Sequence, residues 1–265
     1  MEPFVLDPAG EYLRLAAWEE RWPGLCVGFS TRTMGNFSRH VEDDPKRVVH
    51  RRQRLASAIG FDFSAWTNVC QVHRADVLHI TQSMRGIGRL TSAGELPFDA
   101  MVTDSTDILL TAFYADCVPL FFVEPVSGWI GLVHSGWRGT VQEIPVRVLE
   151  NLRRQGADLT RLHIAIGPSA GPCYQVDRKV MEPLRQVLPD EWRQVCVPAG
   201  EGQWRLDLKE ANRRLLVRSG IAPSQVEVSR FCTICAQDLF FSHRREGNTG
   251  RMVAWMGWRS EQGWL

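Results

Sequence analysis

Residues Ala112 to Thr140 read A-F-Y-A-D-C-V-P-L-F-F-V-E-P-V-S-G-W-I-G-L-V-H-S-G-W-R-G-T. Two apolar runs rich in β-branched and aromatic residues flank Glu124-Pro-Val-Ser-Gly, a composition that predicts a β-hairpin. A loop centred on Pro125 and Val126 sets Cys117 opposite His134. Directly opposed residues in such a pair have Cβ atoms about 5 Å apart. That spacing suits two ligands of one metal ion, a thiol with its base, or a buried cysteine beside a hydrogen-bonded histidine.

Working outward, the 265 residues carry 44% hydrophobic and 23% charged side chains, the proportions of a globular protein with a sizeable core. With 31 basic against 30 acidic residues the net charge is +1, which favours no polyanion and predicts no nucleic-acid partner. Local pairs such as Arg51-Arg52 and Arg244-Arg245 read as solvated faces or, less often, anion sites. The start M-E-P-F-V-L-D-P lacks a basic region before an apolar core, and no apolar run reaches about 18 residues. A cytoplasmic protein away from the membrane is expected. Seven cysteines, an odd number, then read as reduced thiols rather than a disulfide framework.

Leu25 to Ser30 reads as a strand, and Pro45 behind Asp43-Asp44 opens a helix to about Ile59, closed by Gly60. Trp66 to Ile80 alternates like a strand, with a turn at Arg74–Asp76, and residues 83–98 form a loop. Phe98 to Thr103 is a short strand, and Ile108 to Phe113 leads into the hairpin. After Gly139 the period becomes helical: Thr140 reads as a cap, and Val141, Ile144, Val148, Leu149 and Leu152 as the buried face, ended by Gly156. Strands at Leu162–Ile166, Val226–Ser229 and Arg251–Trp258 and helices near 177–188 and 207–219 complete a mixed α/β chain without repeats. One domain spanning 1–265 is expected.

The chemistry gathers near the hairpin. Asp116 sets a carboxylate beside the thiol, and Gly136, Trp137, Arg138 and Gly139 follow His134 at a strand-to-helix junction, where backbone N–H groups and a guanidinium can hold an anion. An open catalytic zinc takes three protein ligands and leaves one position for water. His73 is the candidate for the third, with His79 and His163 as competitors and Cys70 as a weaker donor. Cys232-x-x-Cys235 lacks a second pair of the same spacing, so packing in the core is the simpler reading. Gly167 to Tyr174 forms a tight loop that could wall a pocket, with neither Walker nor dinucleotide spacing.

Six motifs, in order, resemble the YfiH family of laccase-domain, polyphenol oxidase and purine nucleoside phosphorylase proteins. They are C-Q-V-H-x-A-D-V from Cys70, F-D-A-M-V-T-D from Phe98, A-D-C-V-P-L from Ala115, V-H-S-G-W-R-G-T from Val133, I-G-P-S-A-G-P-C-Y-Q-V from Ile166, and C-T…D-L-F-F-S-H-R-R-x-G-x-T-G-R-M from Cys232. The resemblance covers about residues 25–258. It implies a four-layer α/β/β/α sandwich with mixed sheets, distantly like the cytotoxic necrotizing factor catalytic domain. It also implies zinc ligands at His73, Cys117 and His134. This chain departs where Ser30-Thr-Arg-Thr runs almost directly into Met34-Gly-Asn-Phe-Ser-Arg-His-Val, a trimmed glycine-rich loop, and where His243 stands for a common tyrosine.

The activities implied are phosphorolysis of adenosine, inosine or methylthioadenosine and deamination of adenosine. Zinc suits the latter because it lowers the pKa of bound water towards 7. Phosphorolysis needs phosphate at C1′ of the ribose, for which Arg138, the N–H groups of Gly136–Gly139, Arg32 and Arg244 are candidate contacts. Asp116 or Asp99 would orient a ligand histidine or relay a proton. The partners are then a nucleoside and phosphate, with a monomer or homodimer as the assembly. Three alternatives stand beside this: a metal-free cysteine hydrolase using Cys117 and His134, a peptidoglycan-precursor editing enzyme, and a copper-dependent phenol oxidase. Copper fits one thiolate and two imidazoles, although seven histidines in all are few for a multicopper site.

Overall fold

The computed structural model describes residues 1–90 and 96–260. Two six-stranded sheets stack face to face. The first has the order Val5–Leu6, Tyr12–Arg14, Leu25–Ser30, Met252–Trp258, Leu109–Tyr114, Trp66–Thr67. The second runs Val226–Val228, His163–Ile166, Val118–Glu124, Trp129–Ser135, Ala100–Thr103, Val77–His79. Each is mixed: Met252–Trp258 pairs antiparallel to both neighbours, whereas Trp66–Thr67 and Val77–His79 pair parallel to theirs.

Three hydrophobic clusters show the layering. Phe29, Leu110, Ala112 and Met256 of the first sheet meet Phe121, Ile130 and Leu132 of the second in the central one. The outer face of the first sheet, Leu109, Phe113, Val253 and Trp255, packs on Leu55 and Ala56 of the helix Pro45–Ala58. The outer face of the second, Val118, Leu120, Phe122 and Val133, is covered by Ile144–Arg154, Arg178–Val187 and Leu208–Arg218. This is the α/β/β/α order. It also explains why Val118-Pro-Leu-Phe-Phe-Val is a continuous apolar run: a strand covered on both faces has no polar alternation.

The hairpin forms, with two corrections. Leu109–Tyr114 does not continue into Val118–Glu124; it belongs to the other sheet, and Ala115-Asp116-Cys117 carries the chain across. Asp116 turns that corner at φ 93°, a left-handed conformation in which Asp is better tolerated than most residues. The loop is centred one residue later than expected, so His134 pairs with Pro119 and Cys117 lies just beyond the paired ladder. The partner of His134 moves by two residues, which preserves its face, so both side chains still look into the central layer.

Other elements differ locally. Only Trp66–Thr67 and Val77–His79 of the expected Trp66–Ile80 strand are paired in the sheets; His73 sits between them in a turn at φ 60°. Thr140 is not a cap but lies inside the short helix Trp137–Val141, whose N-cap is Gly136, and Glu143 at φ 58° separates it from Ile144–Arg154. Part of the expected 83–98 loop, residues 91–95, lies outside the described residues. A three-stranded sheet of Tyr174–Asp177, Gln203–Leu206 and Cys196–Gly200 had no clear periodicity to reveal it. Arg52 is no solvated charge. It is 1% exposed and donates to the carbonyls of Phe37, Gly88 and Arg89, and its guanidinium lies 4.8 Å from the Phe113 ring centre. Burial, with Arg39 adding to it, pulls its pKa down to about 9.

Candidate metal centre

Cys117 ends the crossing between the sheets, His134 is the penultimate residue of the strand Trp129–Ser135, and His73 comes from the turn before Val77–His79. Their ligand atoms lie within 4.8 Å of one another. The two imidazoles meet edge to face at 4.9 Å between ring centres. Gly136 makes the approach possible, since a Cβ there would come within 2.9 Å of Cys117 Sγ and 3.4 Å of His73 Cδ2.

Asp99 organises both histidines. Its Oδ1 lies 2.8 Å from His134 Nδ1 and accepts that proton, which leaves Nε2 to face the cluster. Its Oδ2 accepts from the backbone N–H groups of Val72 at 3.1 Å and Arg74 at 2.7 Å, the residues on either side of His73. Its carbonyl accepts from His134 N at 2.7 Å. Asp99 is 2% exposed; desolvation alone would raise its pKa, and the bonds from His134 and the backbone overcome this and lower it. Sequence reasoning favoured Asp116 and held Asp99 as its alternative; the structure gives the place to Asp99, which precedes Ala100, the strand partner of Val133.

The thiol and the imidazole shift each other. Burial pushes Cys117 up, but the charge of His134 and hydrogen bonds from His134 and His73 pull it down to about 6. Burial pushes His134 down, and Cys117 and Asp99 together raise it to about 9. One thiolate and two imidazoles, one of them fixed by a carboxylate, match the donors of an open zinc site.

Two cavities meet at this cluster and share His73, Ala115, Cys117 and His243. One, of about 320 Å³, adds Asp116, Gly136, Trp137, Arg138, Tyr174 and Arg244. The other, of about 410 Å³, adds His40, Gln71, Phe113, His134 and Arg251. Both arginines of the first cavity lie over aromatic rings, Arg138 4.4 Å from Trp137 and Arg244 4.4 Å from Tyr174. Asp116 does not contact a ligand histidine: its Oδ1 accepts from Thr233 Oγ1 at 2.7 Å and its Oδ2 from Arg244 N at 2.6 Å.

Not every expected residue arrives. Arg32 is elsewhere, bonded to the Gln237 carbonyl and paired with Glu246 at 3.2 Å, because its strand end docks on the 237–246 segment. Gly139 is buried against Ile144 and the Arg74 and His134 carbonyls, outside both cavities. His79 packs 5.0 Å from Trp129 and His163 4.8 Å from Trp22, so neither joins the cluster. The 167–174 loop expected to wall a pocket does so through Ala170 and Tyr174, and Trp137 of the junction joins them; Arg251 had gone unremarked, because no local pattern in the sequence marks a residue whose role comes from a distant neighbour.

Comparison with known proteins gives the family. The family described as multi-copper polyphenol oxidoreductase laccase matches residues 19–259. A Geobacillus stearothermophilus protein named purine nucleoside phosphorylase YlmD is 43% identical over 90% of this chain and 92% of its own length. A Bacillus subtilis protein of the same name is 36% identical over 88% of each. The crystal structure of the Geobacillus stearothermophilus YlmD superposes with a TM-score of 0.92 at 38% identity, covering 98% of this chain and all of that one. A Bacillus licheniformis protein titled YfiH also reaches 0.92, at 33% identity and 98% coverage of this chain.

Proposed function

The chain belongs to the multi-copper polyphenol oxidoreductase laccase family, and from that premise we propose that it is a purine nucleoside phosphorylase that also deaminates adenosine. The observation that carries the reading is the His73–Cys117–His134 cluster at the mouth shared by two cavities, in a chain whose relatives are named purine nucleoside phosphorylases. Those three residues would hold a zinc ion, which would supply Lewis acidity towards an oxygen of substrate or water. Arg138 and Arg244 hold phosphate in the smaller cavity, since two guanidiniums braced on aromatic rings give charge in a fixed orientation. Asp116 acts on the chemistry through Arg244, whose backbone it anchors. The aromatic walls, Trp137 and Tyr174 in one cavity and Phe113 in the other, suit a planar base.

Two balanced reactions follow: adenosine plus phosphate gives adenine and ribose 1-phosphate, and adenosine plus water gives inosine and ammonia. The test is incubation of the zinc-loaded protein with adenosine, inosine and methylthioadenosine, with and without phosphate. Free base that requires phosphate is expected, along with inosine that does not. No turnover of any of the three overturns the reading. Arg138→Ala and Arg244→Ala are expected to raise KM for phosphate more than KM for nucleoside.

A second reading is favoured by the chain Cys117–His134–Asp99 and the lowered thiol, the arrangement of a cysteine nucleophile with an oriented base. Protein free of metal that is covalently trapped at Cys117 by an electrophilic substrate would establish it. Phenol oxidation with several coppers fits less well: His79 and His163 are held elsewhere, and the cluster has three protein donors.

A further inference from the structure

Cys173, Cys232 and Cys235 come from segments about 60 residues apart, yet their sulfurs converge. Cys173 Sγ lies 3.5 Å from Cys232 Sγ and 3.4 Å from Cys235 Sγ, and the three sulfurs lie within 4.8 Å of one another. A disulfide would require about 2.05 Å, whereas zinc–sulfur bonds of about 2.3 Å at a tetrahedral angle place sulfurs roughly 3.8 Å apart. The arrangement is built rather than incidental. Ser169 bridges Cys232 in a parallel pair, Thr233 N donates to the Ser169 carbonyl at 3.0 Å, and Gly171 N donates to Cys232 Sγ at 3.2 Å. A Cβ on Gly171 would come within 3.1 Å of that sulfur, so the loop closes over it because the residue is glycine. Lys209, 5% exposed, is fixed by the Ser229 and Phe231 carbonyls at 2.7 and 2.9 Å, and its charge acts on Cys232 and Cys173. Sulfur donors select thiophilic ions.

We propose that Cys173, Cys232 and Cys235 form a second cation site, for zinc(II) or copper(I), with the fourth position open to solvent through the exposed Cys173 and Cys235. Its role is to clip the 167–173 loop to the 231–236 segment behind the smaller cavity. Both segments hold Asp116: Ala170 N donates to its carbonyl at 2.9 Å, and Thr233 Oγ1 to its carboxylate at 2.7 Å. Tyr174, which backs Arg244, follows directly on Cys173.

Metal content of the full chain, reconstituted anaerobically with zinc or with copper(I) and freed of excess ion, tests this. Two equivalents are expected, one of them lost in Cys173→Ser and in Cys235→Ser and retained in Cys117→Ala. Substituting Cys173 or Cys235 is mild because both are exposed, and melting curves check that each variant is folded. Protection of Cys173 and Cys235 from alkylation by the bound ion is a second readout. A single equivalent that vanishes in Cys173→Ser but survives Cys117→Ala upholds this site and removes zinc from the His73–Cys117–His134 reading. A single equivalent with the reverse pattern overturns this site alone, as does a Cys173 disulfide in the anaerobic protein.

Discussion

Asp99→Asn removes one charge and almost no volume, and it strikes the residue to which both candidate ligand histidines are tied. The carboxylate now accepts from three groups, His134 Nδ1 and the N–H groups of Val72 and Arg74. An asparagine has one acceptor oxygen and one NH2. If its NH2 faces Val72 and Arg74, donors meet donors and buried N–H groups go unpaired, at about 1–3 kcal/mol for each loss. If the NH2 faces His134, the imidazole must take the other tautomer, with its proton on Nε2, the nitrogen that would ligate. The first outcome lowers the melting point, by roughly 2–4 °C per kcal/mol for a protein of this size. The second costs metal affinity, about 10–100-fold for a residue that orients a ligand, which is about 1.4–2.8 kcal/mol. Competition with a zinc chelator measures the affinity and calorimetry the melting point. A variant that keeps both, with zinc affinity within a factor of about two, refutes the role assigned to Asp99.

In chelator-treated protein, Cys117 should be thiolate well below the range of a free cysteine, because its pKa is about 6 and that of His134 about 9. The signs are opposite. The contribution of Cys117 to stability is present above the unfolded thiol value and lost as pH falls through about 6; that of His134 is full below the unfolded imidazole value and lost as pH rises through about 9. Alkylation of Cys117 by iodoacetamide is therefore expected to plateau from just above pH 6, and a rate still climbing near pH 9 contradicts the pairing. Gly136→Ala meets no backbone strain at φ −75°, but its Cβ falls 2.9 Å from Cys117 Sγ; it should abolish metal uptake by the cluster while costing about 1–3 kcal/mol of stability, as metal analysis and melting would show. Arg52→Leu strips three carbonyls of their donor. A loss of about 2–4 kcal/mol, seen as a melting point roughly 5–15 °C lower, is expected with metal content unchanged; an unaltered melting point would mean that water replaces the guanidinium without penalty.

The helices and the apolar strands were legible because each announces itself within a few residues. Asp44 and Asp207 cap helices by accepting from Lys46 N and Glu210 N, and Gly156 at φ 89° ends another. What the sequence hid is where a strand run changes sheet. Nothing in A-F-Y-A-D-C-V-P separates Tyr114 from Val118, since residues in both sheets are apolar on both faces. Cys173 gave no sign of meeting Cys232 and Cys235, because the loop that carries it is folded by backbone pairing at Ser169 rather than by any motif of cysteines. His73 was the first of three candidate histidines, and the family resemblance set it apart from His79 and His163; its own alternation suggested a strand, and its left-handed turn is held by Asp99, 26 positions away.

Two of the places where this chain was expected to depart from the family pattern line one cavity. Ser38 and His40, in the segment after Arg32, line the larger cavity, and His243 lines both. Arg251, from the edge of the last strand, completes that wall. The three clustered residues come from other elements, the sheet crossing, the end of Trp129–Ser135 and the turn that Asp99 braces. Those positions are fixed by the central layer, where Tyr114 donates to the Val133 carbonyl at 2.9 Å and packs 5.5 Å from the His134 ring. A change in the 34–40 segment or at His243 can therefore reshape the larger cavity without moving the His73–Cys117–His134 cluster, whereas a change at Tyr114, Asp99 or Gly136 cannot spare the cluster. The separation follows from the architecture: stacked sheets make a rigid seat at the end of their shared core, and loops from both sheets close over it.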